Sequence, residues 1–126
     1  MSERTVTIAI LNYNGRNYLE ETINSIRALD YPSKKLLMVD DGSTDGSTDF
    51  VRLNHPDVKI IEMGCNTKML NRVRNQAIFA ADTDFVLVTD NDITFAPDCL
   101  TILMQTMQLQ RGSFHGSHCF YLARGR

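Results

Sequence analysis

No apolar run in this chain approaches the roughly 18 residues that a membrane-crossing helix needs. The opening residues, Met1-Ser2-Glu3-Arg4, pass straight into a strand-like segment and lack the charged-then-apolar pattern of a secretory leader. Neither a spanning helix nor a signal peptide is therefore expected. Cysteine is also scarce. Cys65, Cys99 and Cys119 form an odd set without C-x-x-C spacing, which argues against a disulfide framework and against a zinc site. A reducing, cytoplasmic or membrane-peripheral location is the expectation. Excess charge of either sign is missing too. Lys and Arg number 13 against 15 Asp and Glu, a formal net charge of -2, which excludes a broad nucleic-acid footprint. Acidic residues end at Asp98, and no Asp or Glu occurs from Cys99 to Arg126.

What is present is ordinary for a globular chain: 126 residues, 43% of them hydrophobic and 22% charged. That length predicts one domain over 1–126, with a core over 5–100 and a helix end plus a short basic tail over 101–126. Val6 to Leu11 reads as a strand buried on both faces, and it stops at the turn cluster Asn12-Tyr13-Asn14-Gly15. Leu19, Thr22, Ile23, Ile26 and Leu29 recur at helical spacing until Tyr31-Pro32-Ser33. A second strand, Leu36 to Val39, runs into Asp40-Asp41-Gly42-Ser43-Thr44-Asp45-Gly46-Ser47. Phe50, Val51 and Leu53 then suggest a short helix. Val58 to Ile61 is a third strand. Leu70, Val73, Ala77 and Ala80 mark the helix after it, with Lys68, Arg72 and Arg74 on its other face. Phe85 to Thr89 is the fourth strand. Pro97 is expected in the first turn of a fourth helix with Leu100, Leu103, Met104 and Met107 on one face.

Four strand-to-helix alternations predict an α/β fold, a mostly parallel twisted sheet flanked by helices. In such a sheet Asn12 to Gly15, Asp40 to Gly46 and Asp90 to Asp92 all lie at carboxyl ends of strands, where this architecture binds ligands. Asp90 and Asp92 would repel each other there unless a cation sits between them. A hard divalent cation, itself bound to phosphates, is the natural partner. Asp41 or its neighbour Asp40 suits a base or ribose, although either also suits a helix cap. Asp41-Gly42-Ser43-Thr44-Asp45-Gly46 starts like a calcium loop, but its twelfth position is Arg52 in place of Glu, so calcium is rejected. Tyr13 is placed to stack on a base or to stand as a plain turn residue. Arg74, more than Arg72, is placed to reach a diphosphate. His115 and His118 are weak candidates for a metal ligand or general base.

Together, Val6-Thr7-Ile8 through Asn12-Tyr13-Asn14, then Val39-Asp40-Asp41-Gly42-Ser43-Thr44-Asp45-Gly46-Ser47, Arg74-Asn75-Gln76-Ala77, Phe85 through Asp90-Asn91-Asp92, and Pro97-Asp98 resemble the nucleotide-binding half of a GT-A type, family 2 glycosyltransferase. The likeness spans about residues 5–100. It implies an inverting transferase that takes a nucleoside-diphosphate sugar, with Mg2+ or Mn2+ bridging protein and diphosphate, and a saccharide or lipid-linked acceptor such as cell-envelope polysaccharide synthesis uses. It further implies that Leu11 and Tyr13 flank the base, Asp41 holds the base, Arg74 lies near the phosphates, and Asp90, Asn91 and Asp92 serve ribose, diphosphate and metal.

Two departures from that pattern stand out. The family's general base is a carboxylate in its second half, and this chain has none after Asp98, which leaves His115 and His118. Thr67-Lys68-Met69 stands where small glycine-rich residues are usual. The expectation is a truncated transferase domain, with an added strand through Cys119-Phe120-Tyr121-Leu122 and exposed apolar surface that pairs with another copy. The alternative is a nucleotide-sugar-binding module without transfer. A receiver domain is set aside because the first strand ends in Asn12 and no lysine follows Lys68. A nucleotidyltransferase is set aside because Asn12-Tyr13-Asn14-Gly15-Arg16 is not its glycine-rich loop.

Overall fold

The computed structural model describes residues 3–110, 114–115 and 121–124. Ten elements follow in order: β1 (Val6–Asn12), α1 (Arg16–Arg27), β2 (Lys34–Asp40), α2 (Ser47–Asn54), β3 (Lys59–Glu62), α3 (Leu70–Ala80), β4 (Phe85–Asp90), α4 (Cys99–Gln110), β5 (Phe114–His115) and β6 (Tyr121–Arg124). They build one sheet in the order β3-β2-β1-β4-β6-β5. The first four strands of that order run parallel, and β6 closes antiparallel on β4. The architecture is thus the mostly parallel α/β sheet that the alternation predicts.

All seven residues of β1 are buried, because it lies between β2 and β4 with helices on both faces. Its pleat sorts the core into two. Val6, Ile8 and Ile10 pack with Leu19, Ile23 and Ile26 of α1 and with Leu100 and Met104 of α4. Ala9 and Leu11 point the other way, against Val73 and Ala77 of α3. α1 and α4 therefore cover one face, and α3 covers the other. Among the described residues no helix is long and apolar enough to cross a membrane.

Some boundaries differ from the sequence expectation. Pro97 precedes α4 instead of opening it: its carbonyl accepts the Asp30 N–H at 2.8 Å, which ties the chain to the end of α1 before the helix starts at Cys99. Leu53 does not join the core and is 82% exposed. Val51 takes the buried stripe of α2, and two further residues at helical pitch turn Leu53 to solvent. The tail strand is Tyr121–Arg124. Cys119 and Phe120, expected at its start, lie outside the described residues.

Candidate functional site

The parallel register brings the three polar clusters to one rim. Asn12 stands opposite Asp40, and Leu11 stands opposite Asp90. Asp40 is 2% exposed and fully engaged. Its Oδ1 accepts from Asn12 Nδ2 at 2.8 Å and from the Ser43 hydroxyl at 2.7 Å, while Oδ2 accepts from Ser43 N at 2.9 Å. A buried carboxylate satisfied this way holds the loop after β2 in place. Asn14 N adds a 2.8 Å bond to the Ser43 oxygen, and Asn14 Oδ1 accepts from Thr44 N at 2.8 Å.

Asp41 is different. Its N–H donates to the Asn12 carbonyl at 2.8 Å, and its half-buried side chain accepts from Thr67 N at 2.9 Å. Of the two neighbours, Asp41, the one that the family resemblance implies for the base, lines the cleft, and Asp40 lies in the sheet.

That cleft measures about 300 Å3 and lies beyond the carboxyl ends of β1 and β4. Leu11, Tyr13, Asp41, Asp90, Asn91 and Asp92 all line it, together with Asn12, Leu70 and Val73. Leu70 and Val73 are the lining residues that sequence reasoning missed. Both sit on the apolar stripe of α3, so their periodicity signalled core. Val73 is indeed core, 2% exposed, and borders the cleft as well, whereas Leu70, the first residue of α3, is 54% exposed. Arg74 does not line the cleft: its Nη1 donates to Asn71 Oδ1 at 3.2 Å along α3. Arg72 is exposed on the same helix.

A second cleft, of about 320 Å3, opens at the amino ends of the strands beside Lys34, Lys35, Asp57, Lys59 and Asp82. Most of its charges are already engaged. Lys34 Nζ donates to the Leu29 and Tyr31 carbonyls, Lys35 pairs with Asp82, and Asp57 holds Arg27 in a two-pronged bond. The carboxyl-end cleft is the candidate site, because an open parallel sheet binds its ligands there.

The loop that carries Asp41 is anchored further on by Asp45. Its Oδ2 accepts from Arg16 N, the first residue of α1, at 2.9 Å, and its Oδ1 accepts from Ser47 N, the first residue of α2, at 3.0 Å. The Ser47 hydroxyl also donates to Oδ1. Desolvation pushes the Asp45 pKa up, but the Ser47 hydroxyl and the backbone N–H groups outweigh it and hold the pKa below the ordinary carboxylate value. The Arg16 guanidinium lies 3.6 Å over the Phe50 ring, so α1 and α2 are joined at the same end.

The donor set at the end of β4 fits a divalent cation. Asp90 is half-buried, Asp92 is exposed, and both offer hard carboxylate oxygens on one turn. Among the described residues no group of three or more His, Cys, Asp or Glu gathers as a protein cage. Mg2+ needs none, since it binds through one or two carboxylates and completes its shell with water and phosphate oxygens. As for the histidines, the register sets His115 opposite Tyr121, which stands opposite Val88, two residues before Asp90. His115 thus enters the sheet at its carboxyl-end side, two strands from β4, and His118 lies outside the described residues.

Comparison with known proteins bears on this site. The sequence model described as "Glycosyl transferase family 2" matches residues 7–118. A poly-beta-1,6-N-acetyl-D-glucosamine synthase of Staphylococcus epidermidis is 26% identical over 96 residues, covering 74% of this chain and 23% of the relative. Among solved structures, the mannosyltransferase PcManGT of Pyrobaculum calidifontis, in complex with GDP-Man and Mn2+, superposes with a TM-score of 0.77 at 28% identity, covering 84% of this chain and 33% of the other. Staphylococcus aureus TarS, in complex with UDP-GlcNAc, gives a TM-score of 0.75 at 26% identity over 86% of this chain and 32% of its own. The chain thus spans about a quarter of that synthase and about a third of these solved chains.

Proposed function

Because this chain belongs to glycosyl transferase family 2 and carries the nucleotide-binding half of the GT-A fold, we propose that its cleft takes a nucleoside-diphosphate sugar for inverting, metal-assisted transfer to an acceptor hydroxyl. One observation carries the reading. Leu11, Tyr13, Asp41, Asp90, Asn91 and Asp92, drawn from three strand ends, line a single cleft.

In this reading the base lies against Leu11, Tyr13 and Leu70, whose apolar and aromatic surfaces suit a planar ring. Asp41 accepts an N–H from the base edge. Asp90 accepts from a ribose hydroxyl, and Asp90 with Asp92 would hold Mg2+ or Mn2+. Such an ion supplies positive charge where the departing nucleoside diphosphate accumulates negative charge. The complexes named for PcManGT and TarS support a nucleotide-sugar donor. The relatives' names, a poly-beta-1,6-N-acetyl-D-glucosamine synthase and a poly(ribitol-phosphate) beta-N-acetylglucosaminyltransferase, support a hydroxyl-bearing polymer as acceptor.

Direct displacement also requires the acceptor hydroxyl to lose a proton. Within residues 99–126, which hold no carboxylate, His115 and His118 are the candidates for that base. The second reading is a nucleotide-sugar-binding module without transfer. Calorimetric titration with UDP, GDP, CDP and dTDP, each with Mn2+, Mg2+ or chelator, tests the donor site. Metal-dependent binding of one nucleotide, lost in Asp92→Ala, is expected. Binding of none overturns the proposal, and binding without sugar transfer selects the module reading.

A further inference from the structure

The residue between the two carboxylates lines the cleft and is also tied into the body of the fold. Asn91 Nδ2 donates to Asn12 Oδ1 at 2.9 Å, and the Asn91 carbonyl accepts from the Thr22 hydroxyl at 2.7 Å. Thr22 is 1% exposed on the buried stripe of α1, beside Leu19, Ile23 and Ile26. A hydroxyl in such surroundings is costly unless it is bonded. Threonine in a helix usually satisfies itself on a carbonyl of the preceding turn, whereas this one reaches out of α1 to the turn after β4. Gly15 completes the arrangement. A Cβ there would lie 2.1 Å from Asn91 Nδ2 and 2.5 Å from Asn12 Oδ1, so only glycine leaves room for the Asn12–Asn91 bond. The end of β1, the connection to α1 and α1 itself therefore converge on one peptide of a short turn.

We propose that Thr22 and Asn91 are positioning residues, which fix the turn so that Asp90 and Asp92 stand ready to share a divalent cation with a bound diphosphate. The proposal rests on the donor-site reading above. Two carboxylates one residue apart repel, and a free turn would rotate them away from each other. Clamping the intervening peptide on both its amide side chain and its carbonyl removes that freedom before the ligand arrives, so less ordering remains to oppose binding. Asn12 also bonds Asp40 on β2, so the clamp keeps the Asp90–Asp92 turn in fixed register with the strand that leads to Asp41.

The experiment is a Mn2+ titration of the full chain at saturating UDP, read by the spin-resonance signal of free Mn2+, beside a UDP titration in chelator. Thr22→Val has the same shape without the hydroxyl. It is expected to weaken Mn2+ about tenfold or more, the usual effect of removing a partner that orients a metal ligand. UDP affinity in chelator stays at the wild-type value, and Thr22→Ser restores Mn2+ binding. Thr22→Ala, which also removes the hydroxyl and lies outside the cleft lining, shows the same split and carries the decision should Thr22→Val not fold. A folded variant of either kind with wild-type Mn2+ affinity overturns the proposal, as does a parallel fall of UDP affinity in chelator. A wild-type chain without Mn2+-dependent UDP binding overturns the donor-site reading itself, before any variant is compared.

Discussion

The backbone N–H of Thr67 donates a 2.9 Å hydrogen bond to Oδ1 of Asp41, which fastens the β3–α3 connection to the residue that follows β2. Asp41→Asn keeps an acceptor for Thr67 and the same volume, and it loses the charge. Stability is expected to stay within about 0.5 kcal/mol of wild type. Nucleoside-diphosphate affinity should drop about tenfold, the worth of one hydrogen bond to a charged group. Calorimetry and thermal melting of the two proteins check both halves. Unchanged nucleotide affinity would remove Asp41 from the site.

Gly42 makes the Thr67–Asp41 contact possible. Its φ is +77°, and a Cβ would lie 2.4 Å from both Cys65 C and Asn66 N, which are backbone atoms that have nowhere to go. Gly42→Ala is expected to cost roughly 2 kcal/mol or more, from the left-handed backbone and the displaced 65–67 segment together. Urea unfolding measures it; a loss below ~0.5 kcal/mol would show that the segment yields easily.

Asp45 serves the starts of two helices at once, through Arg16 N and Ser47 N. Asp45→Ala removes both contacts and should cost about 1–2 kcal/mol, since a single lost cap typically costs about 1. The comparison is with Asp49→Ala, whose side chain is 88% exposed and pairs with Arg52 at 3.6 Å, and which should cost little. Equal losses at the two positions would contradict the capping role.

Acid should weaken the fold in two stages. Burial, and then the nearby Arg27 guanidinium, push the His55 pKa below its ordinary value. The unfolded imidazole therefore takes up a proton before the folded one does. The stability it contributes is complete above about pH 6.5 and is lost as the pH falls from there. Asp57 follows at lower pH. Its pKa is held down first by the hydrogen bond from Arg27, so its contribution is present above about pH 4 and is lost as acid protonates the folded carboxylate. Chemical denaturation across pH 7 to 5 checks the first stage. His55→Gln should flatten that part of the curve, and an unchanged slope would assign it elsewhere.

Lys68 holds a φ of 54°, a left-handed conformation that costs a non-glycine residue about 1 kcal/mol. Lys68→Gly relieves that strain, although a freer unfolded chain offsets part of the gain. The expected net effect is a small stabilisation of at most ~1 kcal/mol, seen as a higher melting temperature. A lower one would mean that the lysine side chain contributes more than its backbone costs.

The runs Val6 to Leu11, Leu36 to Val39 and Phe85 to Thr89 show the strands plainly in the sequence, because β-branched and apolar runs bounded by turn residues act over a few positions. The same local logic places the Asn12, Asp40 and Asp90 clusters at strand ends, and parallel order then sends them to one rim. The sequence by itself therefore determined the sheet, the rim and most of the lining. The polar run alone did not determine which of Asp40 and Asp41 turns outward, because it hides where the pleat ends and the loop begins; the family resemblance singled out Asp41. Nor did the sequence show that Leu70 faces the cleft, that Val73 borders the cleft as well as the core, or that Arg74 lies outside the lining, since those depend on how α3 is rotated against the sheet. Thr22 counted as one more position on a helical stripe. Its bond to Asn91 spans 69 residues of sequence, and the Asn12–Asn91 bond spans 79. Contacts at such separation leave no periodic trace in the chain. Only the packing of β1, β4 and α1 around them decides which side chains meet.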